Sequence, residues 1–238
     1  MKLIDSYKFN LPSSYYVNDL LKPYGYFDIF QELASKHASK LGIGFEDLSV
    51  KNITWVLARV KYEIVNKIGI GISLVGHTWP HPHSRFDSIR DYLIYDDNGN
   101  LMAKGTSVWC LINFSNGRLL PTSCAPIEGD FVEDYVYETK LEKISYEECL
   151  LENYGVYRVK EDDIDCNKHM NNAKYGEVVF SKLNEDEFNS LVSIEINYLL
   201  QAYLEDEILL KGYRKDNQKF IIGYKGEHIC FIAKCEMK

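Results

Sequence analysis

A chain of 238 residues, 46% apolar and 26% charged, with six prolines and fifteen glycines, has the profile of an ordinary globular protein and excludes a disordered or fibrous one. Acidic residues outnumber basic ones by 35 to 27, for a formal net charge of −8, the opposite of the sign that sequence-blind nucleic-acid binders carry, so no nucleic-acid partner is expected. The opening residues, MKLIDSYKFN, hold no apolar run followed by a small-residue cleavage site, and none of the six cysteines stands in Cys-x-x-Cys spacing. Reduced thiols and a cytoplasmic location are the expectation, and apolar runs such as LVSIEINYLL stop well short of the ~20 residues that span a bilayer, so no membrane association is expected either.

In chain order, residues 26–41 place Phe27, Phe30, Ala34, Ala38 and Leu41 at spacings of three and four, which predicts a helix with one apolar stripe, ended by Gly42. The period then changes. TWVLARVKYEIV, DSIRDYLIYDD and LMAKGTSVWCLINF are alternating or aromatic-rich runs, and Asn98-Gly99 between the last two supplies a tight hairpin turn. From residue 121 to about 154 the periodicity fades behind Pro121, Pro126 and Gly129, which predicts a linker with one short helix around residues 143–151. YGVYRVK then reads as a strand, NNAKYGEVVFSKL as a short helix, and SLVSIEINYLL, EILLKGYR, KFIIGYK and HICFIAKCEMK as strands. Tyr15-x-Val17 and Tyr157-x-Val159 open two halves with the same order of elements. The expected fold is therefore α+β, a helix packed on a curved antiparallel sheet twice over, with residues 1–120 as the first repeat, 121–154 as the linker and 155–238 as the second repeat.

The densest cluster of reactive side chains is DIDCNKHMNNAKY, residues 163–175, with two carboxylates, an imidazole, three side-chain amides and a phenol just ahead of a predicted helix start. Asp and Asn there serve equally well as helix caps and Asx turns. A carboxylate, an amide and an imidazole converging on one helix start exceed what capping requires, and unpaired N–H groups at that start would stabilise an oxygen gaining negative charge. Asp165, Asn167 and His169 alternate at i, i+2 and i+4, so an extended approach would point them the same way.

This cluster resembles the signature of the acyl-acyl carrier protein thioesterases, enzymes built from two hotdog repeats in a single chain that release fatty acids from carrier protein. The likeness covers nearly the whole chain, through FQELASKHASKLG, TWVLARVKYEI, TWP at residues 78–80, RDYLIYD at 90–96 and SVWCLINF at 107–114. It implies thioester hydrolysis with Asp165, Asn167 and His169 as catalytic residues and Asn171 and Asn172 in support. It implies an acyl chain under the long helix of the first repeat, against Phe27, Phe30, Trp79 and Tyr175, and acyl carrier protein as partner. The family also has a Glu followed by Cys in the second repeat, but alignment through Tyr198 puts Gln201 and Ala202 at those positions. Gln orients a water without taking its proton, so the base falls to Asp165 or His169, or to Glu205 by a register shift, and a cysteine nucleophile is excluded. Cys166 is expected to serve in packing. An acyl-coenzyme A thioesterase and a non-hydrolytic acyl-binding protein are the alternatives. Two repeats in one chain make a monomer sufficient as a pseudo-dimer, with a homodimer also open.

His77, His81 and His83 surround a proline-broken segment whose geometry does not favour a shared metal, and no metal is expected. Gly71-Ile72-Ser73-Leu74-Val75 fails the serine-hydrolase elbow at its last position, and no glycine-rich phosphate loop exists, so no cofactor is expected. The run Glu161-Asp162-Asp163 reads as a solvated entry to the reactive loop.

Overall fold

The computed structural model describes residues 2–165 and 167–238. In chain order the elements are β1 (Asp5–Phe9), β2 (Tyr16–Val17), β3 (Leu20–Leu21), α1 (Pro23–Lys40), α2 (Phe45–Ser49), β4 (Ile53–Ile64), β5 (Leu74–Pro80), β6 (Ser88–Asp96), β7 (Leu101–Asn113) and β8 (Leu119–Leu120). After an irregular stretch come β9 (Glu152–Arg158), α3 (Tyr175–Phe180), α4 (Glu185–Ser190), β10 (Leu191–Tyr198), β11 (Glu207–Lys215), β12 (Gln218–Lys225) and β13 (His228–Met237).

Helix α1 begins three residues before the apolar stripe suggests, because Pro23 sits in the first turn, where its fixed φ suits the helix and its missing N–H costs nothing. It ends as Gly42 predicts: Gly42 takes φ +70, its N–H reaches Ser39 O at 3.1 Å, and Ile43 N–H reaches Ala38 O at 3.0 Å, a Schellman closure. Eleven strands form one antiparallel sheet in the order β1-β5-β6-β7-β4-β10-β13-β12-β11-β9, with β8 pairing β7, and β2 pairs β3 in a separate two-stranded ribbon. The two halves meet where β4 pairs β10, with Val60 opposite Ile196 and Tyr62 opposite Ile194, all four buried. This is the double hotdog, with α1 over the first half of the sheet and α3 over the second.

Between helix and sheet lies the core. Tyr26 stacks on Tyr62 at 4.6 Å, Phe30 stacks on Tyr92 at 4.3 Å, and Phe27 meets Tyr62 edge-on. The two helices touch at Gly176, where a Cβ would stand 2.8 Å from the Phe27 ring and 3.2 Å from the Tyr24 backbone.

Two expectations for the second half change. The helix expected in NNAKYGEVVFSKL starts as a 3-10 turn, Asn172–Lys174, becomes α3 and stops at Phe180, and a separate short helix, α4, follows. The helix expected at residues 143–151 is a single 3-10 turn, Glu148–Leu150. The linker stays extended because its backbone binds the face of the sheet away from α1. Val136 N–H donates to Asp91 Oδ2 at 2.8 Å, Ile144 N–H to Asn197 Oδ1 at 2.8 Å and Glu147 N–H to the Tyr213 hydroxyl at 2.9 Å. In return Trp79 Nε1 donates to Asp134 O and Arg59 Nη1 to Leu141 O, both at 3.0 Å. The linker is thus a strap laid across both halves.

Gly105 on β7 lies directly beneath Phe30: an added Cβ would stand 2.1 Å from that ring and 2.6 Å from the Lys61 carbonyl oxygen, which belongs to the backbone and cannot rotate away. Gly105→Ala is expected to destabilise the fold by about 1–3 kcal/mol, read as a lower denaturant midpoint at unchanged slope.

Candidate active site

On either side of residue 166, residues 164–165 and 167–170 are held to one another by hydrogen bonds. Ile164 pairs with Met170, Asp165 N–H donates to His169 O at 2.9 Å, and Lys168 N–H returns to Asp165 O at 3.0 Å with Lys168 at φ +64. Asp165 Oδ1 accepts the Asn167 N–H at 2.8 Å and the His169 N–H at 3.4 Å, an Asx turn. Around it, Met170 N–H donates to Ala202 O and Asn171 N–H to Asp163 O, each at 2.8 Å. Asp163, only 3% exposed, accepts from the Tyr157 hydroxyl at 2.7 Å and from Lys160 N–H at 2.9 Å, so a part of the acidic run read as a solvated entry is a buried staple. Cys166 lies outside the described residues.

Asp165, Asn167, Asn171 and Asn172 line one cleft of about 400 Å³. Its opposite walls come from the first half: Gln31, Ala34, Ser35 and Ala38 along α1, Ile43 and Phe45 beyond it, Trp55 of β4, Trp109 of β7, and Ser88 and Arg90 of β6. Both tryptophans have their indole N–H satisfied, Trp55 by Ile43 O at 3.2 Å and Trp109 by Ser107 Oγ at 2.7 Å, so they present ring carbon to the cleft. The result is a tryptophan-walled cleft that faces the carboxylate and amides of the reactive loop and also carries Gln31, Ser35, Ser88 and Arg90, a composition that suits a small molecule with apolar and polar parts.

The tight turn at Lys168 alters the expected convergence. His169 does not line the cleft; its ring packs edge-on against Tyr203, with centroids 5.0 Å apart. Gln201 is exposed in the β10–β11 connection and accepts from the Tyr203 hydroxyl at 3.5 Å, so it stands beside His169 through Tyr203. Ala202 is fully buried as the anchor of Met170, and Glu205 pairs with Arg158 on the surface, away from the cleft. The helix-start N–H groups are also largely committed: Asn171 Oδ1 accepts from Ala173 N–H at 2.8 Å and Asn171 O from Lys174 N–H at 2.9 Å.

The four residues expected against the acyl chain do not line this cleft. Phe27 and Phe30 fill the core beneath α1, and Tyr175 is buried among Tyr198, Phe231 and Cys230. Trp79 faces the strap on the far side of the sheet. Phe27, Phe30 and Leu33 of α1 supply the core, whereas Ala34 and Ala38 of the expected apolar stripe, with the neighbouring Gln31 and Ser35, supply the cleft wall. Spacing of i, i+4 and i+7 is the signal that could have found it. The three histidines of residues 77–83 go separate ways: His81 bonds Asp91 at 2.8 Å, His77 meets Tyr95, and His83 lies by Trp55.

Comparisons with known proteins bear on the family and the fold. The family model of the acyl-ACP thioesterase N-terminal domain matches residues 15–135, and that of the C-terminal domain matches residues 147–228. An acyl-[acyl-carrier-protein] hydrolase of Cuphea viscosissima is 26% identical over 161 residues, covering 62% of this chain and 39% of the relative. A palmitoyl-acyl carrier protein thioesterase of Gossypium hirsutum is 28% identical over 159 residues, covering 61% and 38%. The chain thus spans about two fifths of the length of the curated relatives it matches. Among solved structures, an acyl-ACP thioesterase from Bacteroides thetaiotaomicron superposes with a TM-score of 0.88 at 22% identity over 99% of this chain and 98% of that one. The 12:0-ACP thioesterase from Umbellularia californica gives 0.81 at 19% over 99% and 97%, so both share the fold.

One titration follows from the cleft wall. His37 of α1 is buried, and its Nδ1 accepts from Arg90 Nη1 at 2.9 Å. Burial first and the neighbouring Arg90 charge second push its imidazole down to about 4. The unfolded chain, with histidine near ~6.5, takes up a proton that the folded state refuses, so this contribution to stability is complete above that pH and is lost as pH falls toward 4. Denaturation midpoints measured across this window are expected to drop more steeply for the parent chain than for His37→Gln.

Proposed function

The chain belongs to the acyl-ACP thioesterase family, and from that premise we propose that it hydrolyses the thioester of a fatty acyl group on acyl carrier protein, releasing free fatty acid and carrier protein and so ending chain elongation. The observation that carries the reading is the meeting of Asp165 and Asn167, from one half, with the tryptophan-walled channel of the other. The first half accommodates the acyl chain and the second supplies the chemistry. One chain provides both, so a monomer is sufficient for the activity.

In the proposed reaction Asp165 takes a proton from a water molecule as its oxygen bonds to the thioester carbonyl carbon. Breaking the carbon–sulfur bond then releases the carrier thiol, which recovers the proton. Asx bonding of Oδ1 to two backbone N–H groups fixes the carboxylate against the cleft, which supplies orientation before substrate arrives. Asn171 has absorbed the helix-start N–H groups of residues 173 and 174, so the side-chain amides of Asn167 and Asn172 are assigned to the oxygen that gains charge. His169 and Gln201, joined through Tyr203 outside the cleft, are assigned to the thiol side of the substrate, where a positioned imidazole assists the leaving group. Attack by Asp165 itself on the carbonyl uses the same geometry and differs in forming a mixed anhydride.

Purified protein given acyl thioesters of acyl carrier protein and of coenzyme A is expected to release free acid faster from the carrier protein. Asp165→Asn keeps an acceptor for the Asn167 N–H and therefore the fold. It is expected to lower kcat/KM by about a hundredfold or more, the usual share of a general base. Binding of thioester without release by the parent chain would replace this reading with acyl binding alone, and preference for coenzyme A would reassign the donor.

A further inference from the structure

Arg90 is 6% exposed and belongs to the wall of the acyl cleft, yet among the described residues no carboxylate lies within ion-pair distance of it. Its described hydrogen bonds both come from Nη1, to His37 Nδ1 at 2.9 Å and to Thr78 Oγ1 at 3.3 Å, two neutral acceptors. Nη2 and Nε make no hydrogen bond among the described residues, and the side chain is part of the cleft lining. The nearby carboxylates are committed elsewhere: Asp91 points through the sheet to His81 and the Val136 N–H, Asp5 pairs with Lys40, and Asp87 pairs with Lys140. A buried charge without a counter-ion is costly, and proteins ordinarily pair it or neutralise it.

A second polar group lines the same cleft, and a third lies behind its wall. Ser88, two residues away on β6 and facing Trp109 across the β6–β7 ladder, is buried, lines the cleft and makes no side-chain hydrogen bond among the described residues. His83 lies behind Trp55 with both ring nitrogens buried and unpartnered. Arg90 meets α1 at His37, whereas Lys174 and Gly176, just after the reactive loop, meet α1 at Tyr24 and Phe27, at least ten residues or about 15 Å back along the helix at ~1.5 Å per residue. A plain hydrocarbon chain filling this region would leave a guanidinium and a hydroxyl facing methylene groups.

On the thioesterase reading above, we propose that the cleft selects acyl groups carrying an oxygen substituent remote from the thioester, a hydroxyl or a carboxylate, which Arg90 and Ser88 bind. A carboxylate would take the Arg90 Nε and Nη2 donors together and neutralise the charge, and a hydroxyl would take one of them. Plain acyl chains of the same length bind the same apolar wall without that contact.

The test separates binding from turnover. Trp55 and Trp109 line the cleft, so a Trp79→Phe background makes intrinsic fluorescence a report on cleft occupancy. Titration compares free fatty acids of one length that are unsubstituted, hydroxylated at successive positions, or carboxylated at the far end. At least tenfold tighter binding of an oxygenated acid is expected, with the two substituted series showing which oxygen is recognised. Arg90→Met is expected to reduce the ratio to about one while retaining the plain acid. Should Arg90→Met not fold, Arg90→Lys, which keeps the charge but loses the planar fork, is expected to lower the ratio, and Ser88→Ala to lower it further. A ratio below twofold in the parent chain overturns the proposal, as does a ratio unchanged in every folded Arg90 variant. Selective binding with no hydrolysis of any thioester would sink the enzyme reading alone, and hydrolysis of plain and oxygenated thioesters at equal kcat/KM with equal binding would sink only this one.

Discussion

Backbone pairing between β4 and β10 is the constraint on which everything else depends. Each half of the chain has its own helix and strands, but the cleft belongs to neither: its wall comes from α1, β4, β6 and β7, and its acceptors come from the loop before α3. Placing Val60 opposite Ile196 and Tyr62 opposite Ile194 sets the offset between the halves, and a slip of one residue would turn those buried side chains to the strap face. Close approach of α1 and α3 at Gly176 fixes the same relation a second time, from the helix side.

The strap secures that relation from behind. Backbone donors at residues 136, 144 and 147 satisfy acceptors on β6, β10 and β11, so one extended segment crosses strands from both halves. It also buries Ile144 with Tyr213, Phe220, Ile222 and Ile232, giving the sheet a second, smaller core on the face opposite the helices. Asp91 shows how this face and the cleft face are coupled: by binding His81 and the strap, it is withdrawn from Arg90, its neighbour in sequence on the opposite face.

Polar groups around the cleft are therefore sorted by what each has already bonded. Asp165 is oriented by backbone donors, Asn171 spends its acceptors on the following turn, and the two tryptophans spend their N–H groups on carbonyl and hydroxyl oxygens outside the cleft. A ligand there would face one oriented carboxylate and two amides of the reactive loop, ring carbon and small polar side chains such as Ser35 and Thr54 along the walls, and the Arg90 guanidinium with the Ser88 hydroxyl. Burial first and the Arg90 charge second hold His37 neutral above pH about 4, so this stretch of the wall carries one charge rather than two.

Much of this was legible from residues in order. The apolar stripe on α1 and the stop at Gly42 follow from spacing and from the one residue that readily takes positive φ, and the repeated order of elements with the loop of residues 163–175 gave the double hotdog and its family. Other features were not local. The alternation of Asp165, Asn167 and His169 suggested one direction, but a turn at Lys168 divides them. The resemblance put Phe27, Phe30, Trp79 and Tyr175 against the acyl chain, but whether a buried ring meets core, strap or ligand depends on strands far away in sequence. Ser88, Arg90, Trp55 and Trp109 become one wall only once β4, β6 and β7 are in register. Periodicity by itself determined which face of each element is buried, because that is a property of helix and strand geometry. What each face is buried against was decided by long-range pairing, whose energy no single segment contains.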